Sequence, residues 1–108
     1  MHTPPSDQAG PVFSALSDPT RRTVVEALAS RETATATELA SELPVTRQAV
    51  SKHLTALGSA GLVASERRGR ETHYRLTPEA LSQALSWMEH VGAQWELRLA
   101  ALRRRFPE

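Results

Sequence analysis

The chain has 108 residues, 40% hydrophobic, 23% charged and only 5% aromatic, enough for one compact domain with one modest core. No run approaches the roughly 20 consecutive apolar residues of a membrane helix, and Met1-His2-Thr3-Pro4-Pro5-Ser6-Asp7 has neither region of a secretory signal, so a cytoplasmic protein with no membrane partner is expected. With no cysteine, disulfides, thiolate metal ligands and cysteine nucleophiles are excluded, and the net charge of +1 by itself names no partner.

Residues 1–10 carry two adjacent prolines, Ser6, Asp7 and Gly10 with almost nothing apolar. That is the composition of a disordered tail, so the folded domain is expected over residues 11–108, with order beginning at Val12. Val12, Phe13 and Leu16 suit a short helix that Ser17-Asp18-Pro19 interrupts. Asp18 then caps a second helix with Pro19 in its first turn, and Val24, Val25 and Leu28 recur on one face. Arg21 and Arg22 read as structural ion-pair partners more readily than as phosphate ligands. Thr35-Ala36-Thr37-Glu38 is a capping box for a third helix running to about Leu43, and Pro44 stops it. Thr46 caps a fourth, in which Val50, Leu54 and Leu57 keep the helical period until Gly61.

Leu62–Arg67 and Glu71–Leu76 are strand-like runs around Arg68-Gly69-Arg70, which predicts a β-hairpin. Thr77-Pro78-Glu79 repeats the cap-plus-proline signal and opens a last helix over about 78–105, with no breaker before Pro107. There Leu81, Leu85, Met88, Gly92, Trp95, Leu99 and Leu102 alternate spacings of four and three, a heptad seam. Such a seam packs either on the domain's own core or on a second copy. A helix of about 25 residues spans about 37 Å, longer than so small a domain covers, which favours a homodimer.

Between Thr46 and Leu76 lie six basic and two acidic residues, a net +4, while the remaining chain carries −3. Clustered Arg and Lys in an acidic remainder suit a polyanion, although charge alone fits a solvated loop equally well. Two short helices joined by Leu43-Pro44-Val45, then a hairpin with an arginine-rich tip, have the order of a winged helix-turn-helix. The fourth helix would present Thr46, Arg47, Gln48, Ser51, Lys52 and Thr55 to DNA. Gln48 can pair with adenine, Arg47 can read guanine or hold a phosphate, and Thr46 and Ser51 can contact either. The wing would bring Arg67, Arg68 and Arg70 to the flanking backbone or minor groove, with Gly69 and Thr72 beside them.

Four segments carry a resemblance: Leu16–Arg22, Gln48–Leu54, Ala60–Val63 and Gly69–Leu76. Together, and in this order, they resemble the ArsR/SmtB family of bacterial winged-helix transcriptional regulators. The resemblance implies a mainly α fold with a small β-hairpin, a homodimer built on the first and last helices, and repression at an inverted-repeat operator. It places Gln48, Ser51 and His53 on the recognition helix, Arg68, Gly69 and Arg70 on the wing, and Val12, Phe13, Leu16, Leu85, Met88, Trp95, Leu99 and Leu102 at the dimer interface.

Metal-sensing members of that family carry a cysteine pair in the third helix, or Asp, His and Glu ligands in the last. Here the third helix has no thiol, and the last has only the adjacent Glu89 and His90. The chain therefore resembles the metal-independent branch, with no cofactor and an inducer the sequence does not name. Metal response through a non-cysteine site is the weaker alternative. His53 either contacts DNA or braces the recognition helix, and the direction of His73 depends on strand register. Trp87 and Trp95 suit interface packing better than a ligand cage. No nucleophile elbow, phosphate-cradling loop or paired carboxylates suggest an enzyme. A winged helix that docks a protein instead of DNA is the remaining rival, against which the polar face around Gln48 counts.

Overall fold

A computed structural model describes the chain over residues 6–105, with side-chain surroundings from Ala9 onward. Helix α1 (Ser6–Ala15) is followed by α2 (Pro19–Ala29), which opens at Asp18. The Asp18 carboxylate accepts the backbone N–H groups of Thr20 at 2.8 Å and Arg21 at 3.1 Å, two donors that a helix start otherwise leaves free. Helix α3 (Ala36–Glu42) begins with the complete capping box. Glu38 N donates to Thr35 Oγ1 at 3.1 Å, and Thr35 N donates to Glu38 Oε1 at 2.8 Å.

Helix α4 (Arg47–Ser59) starts at Thr46, whose hydroxyl accepts from Ala49 N at 3.0 Å. It stops at Gly61, which has a φ of 78°. There Gly61 N donates to Gly58 O and Leu62 N to Leu57 O, both at 3.0 Å, the paired bonds of a Schellman stop. Strands β1 (Val63–Arg68) and β2 (Glu71–Leu76) pair antiparallel, from Val63 opposite Leu76 to Arg68 opposite Glu71. The first strand starts one residue later than the sequence predicts because the helix stop takes Leu62 into the core. Helix α5 (Pro78–Arg105) closes the chain.

The mainly helical architecture with one small hairpin agrees with the sequence reading, but the N-terminal boundary does not. Helix α1 begins at Ser6, so residues 6–10 are helical despite their breaker-rich composition, and Pro11 lies inside the helix. Ala9 and Val12, three residues apart, are both buried, and α1 lies against α5. Tertiary packing thus overrides local punctuation. Residues 1–5 of the expected tail, and Pro107, lie outside the described residues.

The core gathers Val12, Val24, Leu28, Leu39, Val50, Leu54, Leu57 and Leu62, all fully buried. Val12, expected at a dimer interface, is therefore a core residue and has no surface to offer a second chain. Helix α5 adds only Ala80 and Ala84 to this core. Its Trp87 meets Phe13 edge-on, ring centroids 5.6 Å apart at 62°. Beyond that junction α5 leaves the domain, and its 28 residues, about 42 Å at 1.5 Å per residue, help stretch the molecule to 63 × 33 × 20 Å.

Backbone N–H groups hold two capping carboxyls below the ordinary carboxylate range, that of Arg21 acting on Asp18 and that of Thr35 on Glu38. At acid pH the unfolded chain binds these protons more tightly, so the caps stabilise the fold above the ordinary range and stop doing so as pH falls through the lowered values. Resistance to urea should hold through neutrality and decline below about pH 4. Thr35→Ala, which deletes a buried cap hydroxyl, should cost about 1 kcal/mol at pH 7 in the same measurement. An unchanged urea midpoint in that variant would remove Thr35 from the stabilising contacts.

Candidate nucleic-acid interface

Because Val50, Leu54 and Leu57 all point into the core, the helical period turns Gln48, Lys52 and Thr55 to the opposite side, where all three are exposed. Arg47 and Ser51 lie on the flank toward the hairpin, and Ala49 and His53 on the flank toward α2. The expected reading residues therefore divide into an outward set and a hairpin-side set. Thr46 is exposed, with its hydroxyl already accepting the cap bond. Thr55 Oγ1 donates back to Ser51 O at 3.0 Å.

His53 belongs to neither set. It is half-buried, with Nδ1 enclosed, and is close enough to Asp18 to help lower that carboxyl. Its surroundings fit the bracing role, one of the two that the sequence left open. Arg22 donates to Leu16 O at 2.7 Å, so it secures the end of the first turn region through a carbonyl in place of the expected ion pair.

The hairpin's register sorts its side chains by face. Ser65, Arg67, Thr72 and Tyr74 share one face, and Glu66, Arg68, Glu71 and His73 share the other. The turn is only Gly69-Arg70, and Gly69 has a φ of 62°, the positive value that the first central position of a type II′ turn requires. Arg67 and Arg68 therefore diverge. Arg67 donates through Nε to Gly69 O at 2.9 Å and borders the space beside α4. Arg68 donates to Glu66 Oε1 at 2.9 Å on the far face and holds that carboxyl below its ordinary range. Both partners of that pair are more than half exposed, so it adds little stability. His73, whose direction the sequence left open, shares the far face, and its Nε2 lies 3.2 Å from Glu71 Oε1.

Between α4 and the hairpin lies a cleft of about 200 Å³, bordered by Arg47, Ser51, Arg67, Arg70, Thr72 and Tyr74 and by Thr35 and Thr37 from the start of α3. Arg47 Nε donates to Thr37 Oγ1 at 3.0 Å. The hairpin is tied to this place by its root: Ala34 N donates to Tyr74 O at 3.0 Å, and Tyr74 N to Ala34 O at 2.8 Å. Sequence reasoning missed Ala34, Thr37 and Tyr74. The one available signal was the alternation Thr33-Ala34-Thr35-Ala36-Thr37, a strand pattern hidden by the capping box that overlaps it.

On α5, Leu85, Met88, Trp95, Leu99 and Leu102 are exposed, between 39% and 55%, so most of the heptad seam stays off the chain's own core. Phe13 sits at 36% beside Trp87, and Leu16 packs half-buried against the core. The Arg98 guanidinium covers the Trp95 ring at 5.5 Å. His90 Nε2 lies 3.4 Å from Gln94 Nε2, next to Glu89. Among the described residues no three His, Asp or Glu side chains form a group suited to a metal ion, and no helix is long and apolar enough to cross a membrane.

Comparison with known proteins agrees with this geometry. A helix-turn-helix domain family matches residues 16–66. The uncharacterised HTH-type transcriptional regulator YuzN of Bacillus subtilis is 39% identical over 85 residues, 72% of this chain and 92% of that one. The transcriptional repressor SdpR of the same organism is 32% identical over 77 residues, 71% of this chain and 84% of its own. The structure of an ArsR-like transcriptional regulator from Rhodococcus sp. RHA1 superimposes with a TM-score of 0.80 at 42% identity, covering 91% of this chain and 92% of that one. The chain is a winged helix-turn-helix protein, a DNA-binding transcriptional regulator and not an enzyme. It belongs to the ArsR/SmtB family and is a cysteine-free member of it.

Gly69→Ala would force a side chain into left-handed backbone, at a cost of about 1 kcal/mol. Hydrogen exchange should then show faster exchange at the tip pair Arg68 and Glu71, while the amides of α4 keep their protection. Unchanged exchange at the tip would mean that the turn does not depend on that backbone conformation.

Proposed function

We propose that the protein is a homodimeric repressor that binds an inverted-repeat operator, its own promoter being the first candidate. The observation that carries this reading is the exposed polar face of α4, fixed by its buried inner face and set beside an arginine-bearing hairpin. Gln48, Lys52 and Thr55 read the major groove, Arg47 and Ser51 approach from the hairpin side, and Arg67 and Arg70 reach the flanking backbone. Arg68 contributes from the far face of the wing. In the dimer, successive recognition helices enter grooves about 34 Å apart. The name of the relative SdpR supports repression. The absence of any thiol supports a metal-independent mechanism of release.

The exposed seam supports the dimer. Leu85, Met88, Trp95, Leu99 and Leu102 form an exposed apolar stripe, and a second α5 is the surface with the matching heptad. Leu99→Glu places a charge in that stripe. The variant should sediment as a folded monomer with reduced operator affinity, and a fully dimeric variant would refute this interface.

Titration into a fluorescent duplex from the protein's upstream region, beside a scrambled duplex, tests the regulator itself. Tight binding to the native duplex alone is expected, weakening with salt by a logarithmic slope of about −0.9 per phosphate neutralised. Gln48→Ala should keep the salt slope while losing discrimination at defined base pairs. Equal weak binding to both duplexes by the unaltered protein would overturn the autoregulatory operator, and unchanged discrimination in the variant would remove Gln48 from the reading set.

A further inference from the structure

The cleft between α4 and the wing gathers three arginines, Arg47, Arg67 and Arg70, and the one acidic residue at its edge, Glu71, has its carboxylate 3.2 Å from His73 Nε2 on the far face of the hairpin. Its volume of about 200 Å³ is below the roughly 300–1,000 Å³ of clefts that enclose a drug-sized molecule. A tetrahedral anion suits it better than an organic ligand. The cleft also lies to the side of Gln48, Lys52 and Thr55, off the face that meets base edges. Arg47 enters it under constraint, because its Nε is already donated to Thr37 Oγ1 at 3.0 Å. Its two terminal nitrogens stay available for the paired hydrogen bonds that a guanidinium makes to a phosphate.

We infer that Thr37 is a positioning residue for the DNA interface: its hydroxyl holds the Arg47 guanidinium in the cleft, where Arg47, Arg67 and Arg70 together seat one phosphate of the DNA backbone. The inference rests on the DNA-binding reading above and deepens it. Of the two roles the sequence allowed Arg47, it selects the phosphate over guanine. It also assigns a role in binding to a residue outside both the recognition helix and the wing. An unheld Arg47 would have to surrender side-chain freedom on binding, and Thr37 removes part of that cost in the free protein.

Thr37→Val and Thr37→Ser, compared with the unaltered protein on the upstream and scrambled duplexes across a salt series, test this. Thr37→Val should weaken both duplexes equally, by about 2- to 10-fold. It should also flatten the salt slope by up to about 0.9 for each phosphate that is no longer neutralised. Thr37→Ser, which keeps the hydroxyl, should restore affinity and slope, so a general loss of fold cannot imitate the result. Unaltered affinity and slope in Thr37→Val would overturn the inference. So would a loss confined to the native duplex, which would make Arg47 a base reader. If the unaltered protein binds neither duplex, the DNA-binding reading at this locus fails first and the positioning role fails with it.

Discussion

The inward anchoring of α4 governs the rest of the molecule. Val50, Leu54 and Leu57 are fully buried against α2, α3 and the Leu62 that follows the helix stop. A helix held by three side chains on one stripe cannot turn about its axis without exposing them. Each buried Leu or Val contributes about 1.5–3 kcal/mol relative to its exposed state, so rotation would forfeit the burial of all three. The polar outer face is thereby aimed by apolar contacts that never meet the ligand. His53 adds a lateral constraint toward α2, and Arg47 is fixed from the other flank by Thr37.

The hairpin obeys the same logic with fewer contacts. Its root is secured by the two hydrogen bonds between Ala34 and Tyr74, immediately before the Thr35 cap that starts α3. Its tip is held within the hairpin, by the strand pairing, the Gly69-Arg70 turn and the Arg67 Nε bond to Gly69 O. Position is therefore set at the root, and the cleft beside α4 extends from there to Arg67 and Arg70 near the tip. Helix α5 divides in a comparable way. Ala80 and Ala84 are small enough for close packing on the core and Trp87 meets Phe13, while Leu85, Met88, Trp95, Leu99 and Leu102 are exposed.

The parts of this fold that were legible in the sequence are those that local chemistry decides. Asp18, the Thr35–Glu38 box, Thr46 and Gly61 each act within five residues of themselves, so their capping and stopping roles can be read without tertiary information. The same is true of the hairpin turn. The misreadings arose where distant packing decided. Prolines and Gly10 argue against order before Val12, yet the burial of Ala9 and Val12 on a helix packed against the domain outweighs them. Val12 reads as an interface residue in the sequence because only the fold shows which apolar positions of α1 the core encloses. The opposite directions of Arg67 and Arg68, and the company of Thr37 and Arg47, follow from register and from a contact between separate helices, which spacing alone cannot supply.

The two tryptophans occupy physically different places, and that separation makes the protein its own optical instrument. Trp87 rests on Phe13, inside the junction of the first and last helices. Trp95 stands 55% exposed on the apolar stripe, under the Arg98 guanidinium. Emission from Trp87 reports whether the fold is intact, whereas emission from Trp95 reports what lies against the stripe. With one ring replaced by Phe in turn, folding and occupation of the stripe become separable signals in a single unlabelled chain.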